Sequence, residues 1–163
     1  MYIKKIFILL FLVSFTFETN AKSTGKYKNW ESFRVETDKG KICFAQSIPT
    51  KRAPSSIARS QSRLFVTFRP SENIKNEVSI TSGHNYKTSS VSATSGKNNF
   101  NFFSQNNFAW LLDTSEETNF IKLMKNATNL IIKARTDKGA ETTDHYSMMG
   151  FTKAYNTAKK TCG

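Results

Sequence analysis

Glu141-Thr142-Thr143-Asp144-His145-Tyr146-Ser147-Met148 leads, past Gly150, into Phe151-Thr152-Lys153-Ala154-Tyr155-Asn156-Thr157-Ala158-Lys159-Lys160-Thr161-Cys162-Gly163, and this stretch decides how the chain is built. Its first part has strand composition, with β-branched and aromatic residues at close intervals. In its second part Phe151, Ala154, Tyr155, Ala158 and Cys162 recur at helical spacing. That is the stripe by which a helix packs onto a larger body. The stripe ends in a cysteine whose only possible partner is Cys43. A bond between them would pin the last helix to the first strands and close the domain on itself.

The amino terminus bears on whether that bond forms. A short basic start, Met1 to Lys5, precedes an apolar run from Ile6 to Phe17 broken only by Ser14 and Thr16. Small residues then lead to a predicted cut after Ala21, the three-part pattern of a secretory signal peptide. The apolar run is about 12 residues, short of the roughly 20 that a membrane-spanning helix needs. Residues 1–21 therefore read as a signal peptide and 22–163 as one exported domain. Exported compartments are oxidising, so Cys43 and Cys162 read as a disulfide, with two separate buried thiols as the alternative. Closing a loop of about 118 residues stabilises by up to ~4.7 kcal/mol in the chain-entropy model.

The 163 residues carry 24 Lys plus Arg against 12 Asp plus Glu, a formal charge of +12. Without residues 1–21 the balance is 22 basic to 11 acidic, or +11. Such a surface favours acidic partners: lipid headgroups, acidic glycans or anionic patches on proteins, with peripheral membrane contact as a further option. Export argues against nucleic acid. A compositional bias toward Lys, Asn and Ile is the competing explanation for part of the charge.

Along the exported part, Lys22 to Asn29 is polar and reads as a loosely attached arm. Trp30–Glu36 and Lys41–Ile48 read as a hairpin around Asp38-Lys39-Gly40, with Ile42 and Phe44 on one face and Cys43 and Ala45 on the other. Pro49 to Ser62 is rich in Pro, Ser and Ala and reads as a long exposed loop. Lys51, Arg52, Arg59 and Arg63, in or beside it, form the candidate basic patch for ligand binding; a merely solvated loop is the alternative. Strands follow at Leu64–Arg69, Asn76–Thr81, Val91–Thr94, Asn99–Ser104 and Phe108–Leu112. Asp113 to Glu117 supplies a helix cap and an acidic first turn, and Thr128–Arg135 is a further strand. Roughly eight short strands and two helices, one C-terminal, predict a mainly β sandwich.

No motif of nucleophilic, metal-assisted or phosphate-binding chemistry is present. With only His84 and His145, no metal site and no cofactor are expected. Asp144 and His145 are neighbours, but on a strand they point to opposite faces and cannot form a dyad. Phe100, Phe102, Phe103, Phe108 and Trp110 could offer a sugar-stacking surface. Alternation instead assigns most of them to the core, with Phe103 turned outward.

Taken in order, several segments resemble the invasion-associated locus B family of exported proteins from Gram-negative bacteria. They are Trp30, Ile42-Cys43-Phe44-Ala45 with Pro49, and Phe65-Val66-Thr67-Phe68-Arg69-Pro70. Asn76-Glu77-Val78-Ser79, Ser82-Gly83, Phe108-Ala109-Trp110 and Met124-Lys125-Asn126 continue the series. It closes with Thr143 through Thr152 and with Cys162-Gly163. Asn126 departs from the family's usual glycine, and His84-Asn85 from a Tyr-Pro pair. The resemblance implies an immunoglobulin-like β-sandwich in the periplasm or at the outer membrane or cell surface. It implies no catalytic residues and a virulence association, named for host-cell entry. The expectation is a non-enzymatic envelope protein that binds an anionic envelope or host-surface component, with lipopolysaccharide, an acidic glycan or an envelope protein as the expected partner. The alternatives are an envelope hydrolase using Asp144, His145 or His84, and a chaperone-like component pairing through an open sheet edge.

Overall fold

The computed structural model describes residues 20–163; the signal-peptide reading falls almost wholly outside them. The strands are β1 (Lys22–Tyr27), β2 (Trp30–Thr37), β3 (Gly40–Ser47), β4 (Lys51–Ala53), β5 (Arg63–Arg69), β6 (Ile74–Thr81), β7 (Val91–Ser95), β8 (Asn98–Gln105), β9 (Phe108–Trp110), β10 (Asn129–Arg135) and β11 (Glu141–Ser147). The helices are α1 (Thr114–Asn126) and α2 (Phe151–Cys162). All pairings are antiparallel, in the order β1-β2-β3-β5-β6-β9-β8-β7-β10-β11-β4.

The ladder folds over at β8. Its first half, Asn98 to Phe102, pairs with β7, and its second half, Phe103 to Gln105, pairs with β9. One strand thus belongs to both limbs of the sandwich, and their inner faces share one core. The fold is mainly β with two helices, one of them C-terminal, as the strand count and the last helix's stripe indicate.

Alternation decides what each strand buries. In β3, Cys43, Ala45 and Ser47 face inward; in β10, Leu130, Ile132 and Ala134 do so. α2 lays Phe151, Ala154, Tyr155, Ala158 and Cys162 against β1, β2, β3 and β5. Trp30 is 1 % exposed, meets the Phe151 ring edge-on at 4.8 Å and donates its indole N–H to the Ser147 carbonyl at 2.9 Å. Burying each such side chain stabilises by about 1.5–3 kcal/mol. The Asp113 side chain caps α1 by accepting from the Glu116 N–H at 2.8 Å. Cys43 and Cys162 are joined, closing first strands and last helix as a ring.

Gly150 makes the turn into α2 at φ +95°, and a Cβ there would lie 1.8 Å from the Tyr27 carbonyl oxygen. Only glycine fits.

Two expectations need correction. Lys22 to Asn29 is not a loose arm: Lys22–Tyr27 forms edge strand β1, and the Tyr27 hydroxyl shares a 2.8 Å hydrogen bond with Thr157 on α2. Polarity hid it, because an edge strand has one partner and buries little. Likewise Pro49 to Ser62 is not a free loop. Lys51–Ala53 adds β4 to β11, and Thr50 donates its N–H to the His145 carbonyl at 2.7 Å. Three residues are too few for alternation to register. With these two, the described residues hold eleven strands, against the roughly eight expected.

Candidate functional site

The four basic residues of the predicted patch do not share one exposed surface. Arg59 is inside, its side chain 2 % exposed beside an Asp144 side chain 1 % exposed. Its Nη1 donates to Asp144 Oδ2 at 2.9 Å, and its Nη2 sits 2.7 Å from Oδ1 without hydrogen-bond alignment. Further bonds reach the Ser82 carbonyl at 3.1 Å and the Ala53 carbonyl at 3.4 Å. Arg59 therefore fastens the 54–62 segment across the end of the sandwich and presents no charge to solvent. A buried guanidinium keeps its charge only when paired in this way. Lys51 is exposed and Arg52 half-buried on β4, Arg52 also donating to the Ser60 carbonyl and lying 4.0 Å from Asp144 Oδ1. Arg63 lies elsewhere, on the outer face of β5.

That outer face is aromatic. Phe33, Phe44, Phe65 and Phe108 run across β2, β3, β5 and β9, with centroid separations of 5.2, 5.9 and 6.5 Å. Trp110 stacks 5.9 Å beyond Phe108, and its cross-strand neighbour on β8 is Phe103, 48 % exposed. None of these rings belongs to the buried core. Phe102 and Phe100 do face inward, against Phe120. The alternation argument placed Phe102, Phe100 and Phe103 correctly and assigned Phe108 and Trp110 to the wrong side. β9 is only three residues long, so its phase is set by its neighbours β6 and β8 rather than by its own pattern.

Two grooves share this surface and meet at Phe65 and Phe108. One, about 340 Å³, runs over the aromatic row from Ile42 to Trp110. The other, about 500 Å³, lies at the sheet end and brings Gln61, Arg63, His84, Asn85 and Asn107 together. Its wall depends on Gly83 (φ +76°), where a Cβ would lie 2.0 Å from the Ser60 carbonyl oxygen. The Ser60 N–H in turn donates to the Gly83 carbonyl at 2.9 Å. Arg59 holds the same segment from beneath.

Charge is unevenly distributed here. Arg69, at the far end of the aromatic groove, is matched by Glu72 at 3.2 Å and Glu77 at 2.7 Å. Arg63 donates to the neutral Gln46 amide oxygen at 3.1 Å and, among the described residues, makes no ion pair. The junction of the grooves therefore carries an uncancelled positive charge beside aromatic rings and planar amides.

The histidines and Asp144 are placed differently. His84 is held by the Asn85 carbonyl and the Thr142 hydroxyl, each at 2.9 Å, and edges onto Tyr86 at 5.1 Å. His145 pairs with Lys51 on β4, on the opposite face of β11 from Asp144. Asp144 is committed to Arg59. Burial pushes the Tyr86 and Tyr146 hydroxyls far above the usual tyrosine range, with the Asp144 charge adding to the shift, so both stay neutral. The edge strands carry lysines, Lys22 and Lys26 on β1 and Lys51 on β4, and β1 is bulged at Ser23/Gly25. Both devices oppose edge-to-edge pairing.

Sequence reasoning missed Phe33, Phe44, Phe65 and Gln46 as site residues. The available signal was that the outward phase of three neighbouring strands is aromatic where polar residues are usual. Among the described residues no helix is long and apolar enough to cross a membrane. No protein-family model, curated protein or solved structure matches the chain.

Proposed function

We propose that this chain is a non-enzymatic exported protein of the envelope, as its resemblance to the invasion-associated locus B family implies, and that it binds an acidic glycan across the two grooves. The observation that carries this reading is the junction itself: Arg63, in no ion pair among the described residues, beside Phe65 and Phe108 and facing amide side chains. A sugar ring has a C–H face that packs on aromatic rings and hydroxyls that need planar donors and acceptors. Amides, imidazole and guanidinium supply the second, and the aromatic row supplies the first. An acidic group on the glycan adds attraction to Arg63, roughly 1–4 kcal/mol at 4 Å between the limits of bulk water and a partly screened surface. Lys51 and Arg52, nearer β11, contribute only at longer range.

The test uses the oxidised protein, residues 22–163, with lipopolysaccharide, an acidic polysaccharide and a neutral polysaccharide. Binding to the acidic ligands should fall steeply between about 0.1 M and about 1 M salt, as the screening length shrinks from ~10 Å to ~3 Å. Arg63→Gln and Trp110→Ala should each weaken it roughly tenfold, the equivalent of about 1.4 kcal/mol. Equal binding by both variants and by the unaltered protein refutes the assignment.

A further inference from the structure

A separate recess lies where α2 passes the bulged start of β6. Between Thr67 and Arg69 the β5–β6 register slips. Thr67 faces Glu77 and Arg69 faces Ile74, so Lys75 and Asn76 together oppose Phe68. Asn76 adopts φ +64° and is held there by the Tyr155 hydroxyl, which donates to its side-chain oxygen at 2.7 Å. Asparagine tolerates this left-handed conformation better than most side chains, and the contact with Tyr155 fixes it. Bulges of this kind re-aim side chains and open space beside a sheet.

The space here is about 220 Å³. Phe68 and Cys162 of the disulfide form its buried floor, Pro70, Ile74 and Asn76 its side, and Lys75, Lys159 and Gly163 its exposed rim. Among the described residues neither lysine is in an ion pair, while the nearby Arg69, Glu72 and Glu77 satisfy one another. The recess is smaller than the 300–1,000 Å³ of sites for drug-sized ligands, so it suits a slim chain rather than a ring system. An apolar floor with two unmatched ammonium groups at its mouth is complementary to one ligand class.

We infer that this recess binds the tail of a single-chain amphiphile whose carboxylate head is held between Lys75 and Lys159. The site is independent of the glycan grooves: it shares no lining residue with them and opens on the α2 side of β5 and β6, whereas they lie on the outer face.

The experiment uses the oxidised protein and cis-parinaric acid, a carboxylate whose unbranched polyene chain is itself the fluorophore, below its micelle concentration. Dodecanoate should displace the probe, with dodecanol and dodecyltrimethylammonium roughly tenfold weaker or worse. Lys75→Glu with Lys159→Glu should weaken probe binding more than roughly tenfold. Lys153→Glu with Lys160→Glu, on the same helix but away from the recess, should leave it unchanged, as should Arg63→Gln. Because rim lysines are exposed, these variants fold, and near-ultraviolet circular dichroism checks that they do. Absence of probe binding overturns the inference. So does displacement by the trimethylammonium compound as strong as by dodecanoate, or an equal loss in the control pair.

Discussion

Replacing Asp144 by Asn removes the carboxylate opposite Arg59 while leaving the strand and its shape in place. The guanidinium stays 2 % exposed and keeps its bonds to the Ser82 and Ala53 carbonyls at 3.1 and 3.4 Å. It loses its counter-charge and gains an amide that can point N–H donors at it. Breaking a buried pair from one side costs about 3–5 kcal/mol. The surviving carbonyl bonds put this case toward the lower end, about 3 kcal/mol, set against a total of roughly 5–15 kcal/mol. Urea unfolding of the oxidised protein at pH 7, extrapolated linearly to water, reads the loss directly. Arg59→Met combined with Asp144→Leu should recover most of it, because the desolvation penalty of both ions disappears. The double variant should nonetheless weaken glycan binding, since the 54–62 segment loses the anchor that shapes its groove. A loss below about 1 kcal/mol in Asp144→Asn, the range of exposed pairs, would refute the reasoning.

Other expectations follow from single contacts. Cys43→Ala with Cys162→Ala should cost about 2–4 kcal/mol, below the ~4.7 kcal/mol entropic ceiling, read as a lower urea midpoint. Gly150→Ala should destabilise by at least about 1–3 kcal/mol on conformation alone, with the Tyr27 overlap adding to it; thermal unfolding checks this. Burial raises the Glu117 carboxyl above its ordinary 4.5, opposed by the Val78 N–H and assisted by Glu77 and Asp113. The folded state therefore binds more protons than the unfolded chain just above pH 4.5, and stability falls as pH rises through that window. Glu117→Gln should accordingly have the higher Tm at pH 7, an advantage that vanishes below the glutamate range.

The long elements were legible because their burial is one-sided. Helix α2 announced itself through Phe151, Ala154, Tyr155 and Ala158, and the buried sides of β3, β5 and β10 through plain alternation. Short elements carried too few residues to show a period, which is why β4 and the phase of β9 escaped. The disulfide followed from cysteine number and the inferred compartment. Arg59 could not have been assigned from its neighbours in sequence, because the partner that draws it inside is 85 positions away. Nor does composition distinguish a lysine on a solvated loop from an arginine clasped under one. The aromatic row was partly visible in Phe44 and Phe65, but strand order is needed to see Phe33, Phe44, Phe65 and Phe108 as one line.

The ring made by Cys43, Cys162 and the contacts of α2 sets an order of events for the newly made chain. The surface that α2 covers lies on β1, β2, β3 and β5, more than 80 residues earlier, so the core stays open until that helix arrives. Contacts of such sequence separation form late and slowly. A chain emerging amino end first, from a ribosome or through a narrow channel, is therefore held unfolded by its own topology until α2 has passed. Truncation just before α2 should then yield not a smaller stable protein but one exposing Trp30, Ala45 and Phe68 together, a target for chaperones and proteases.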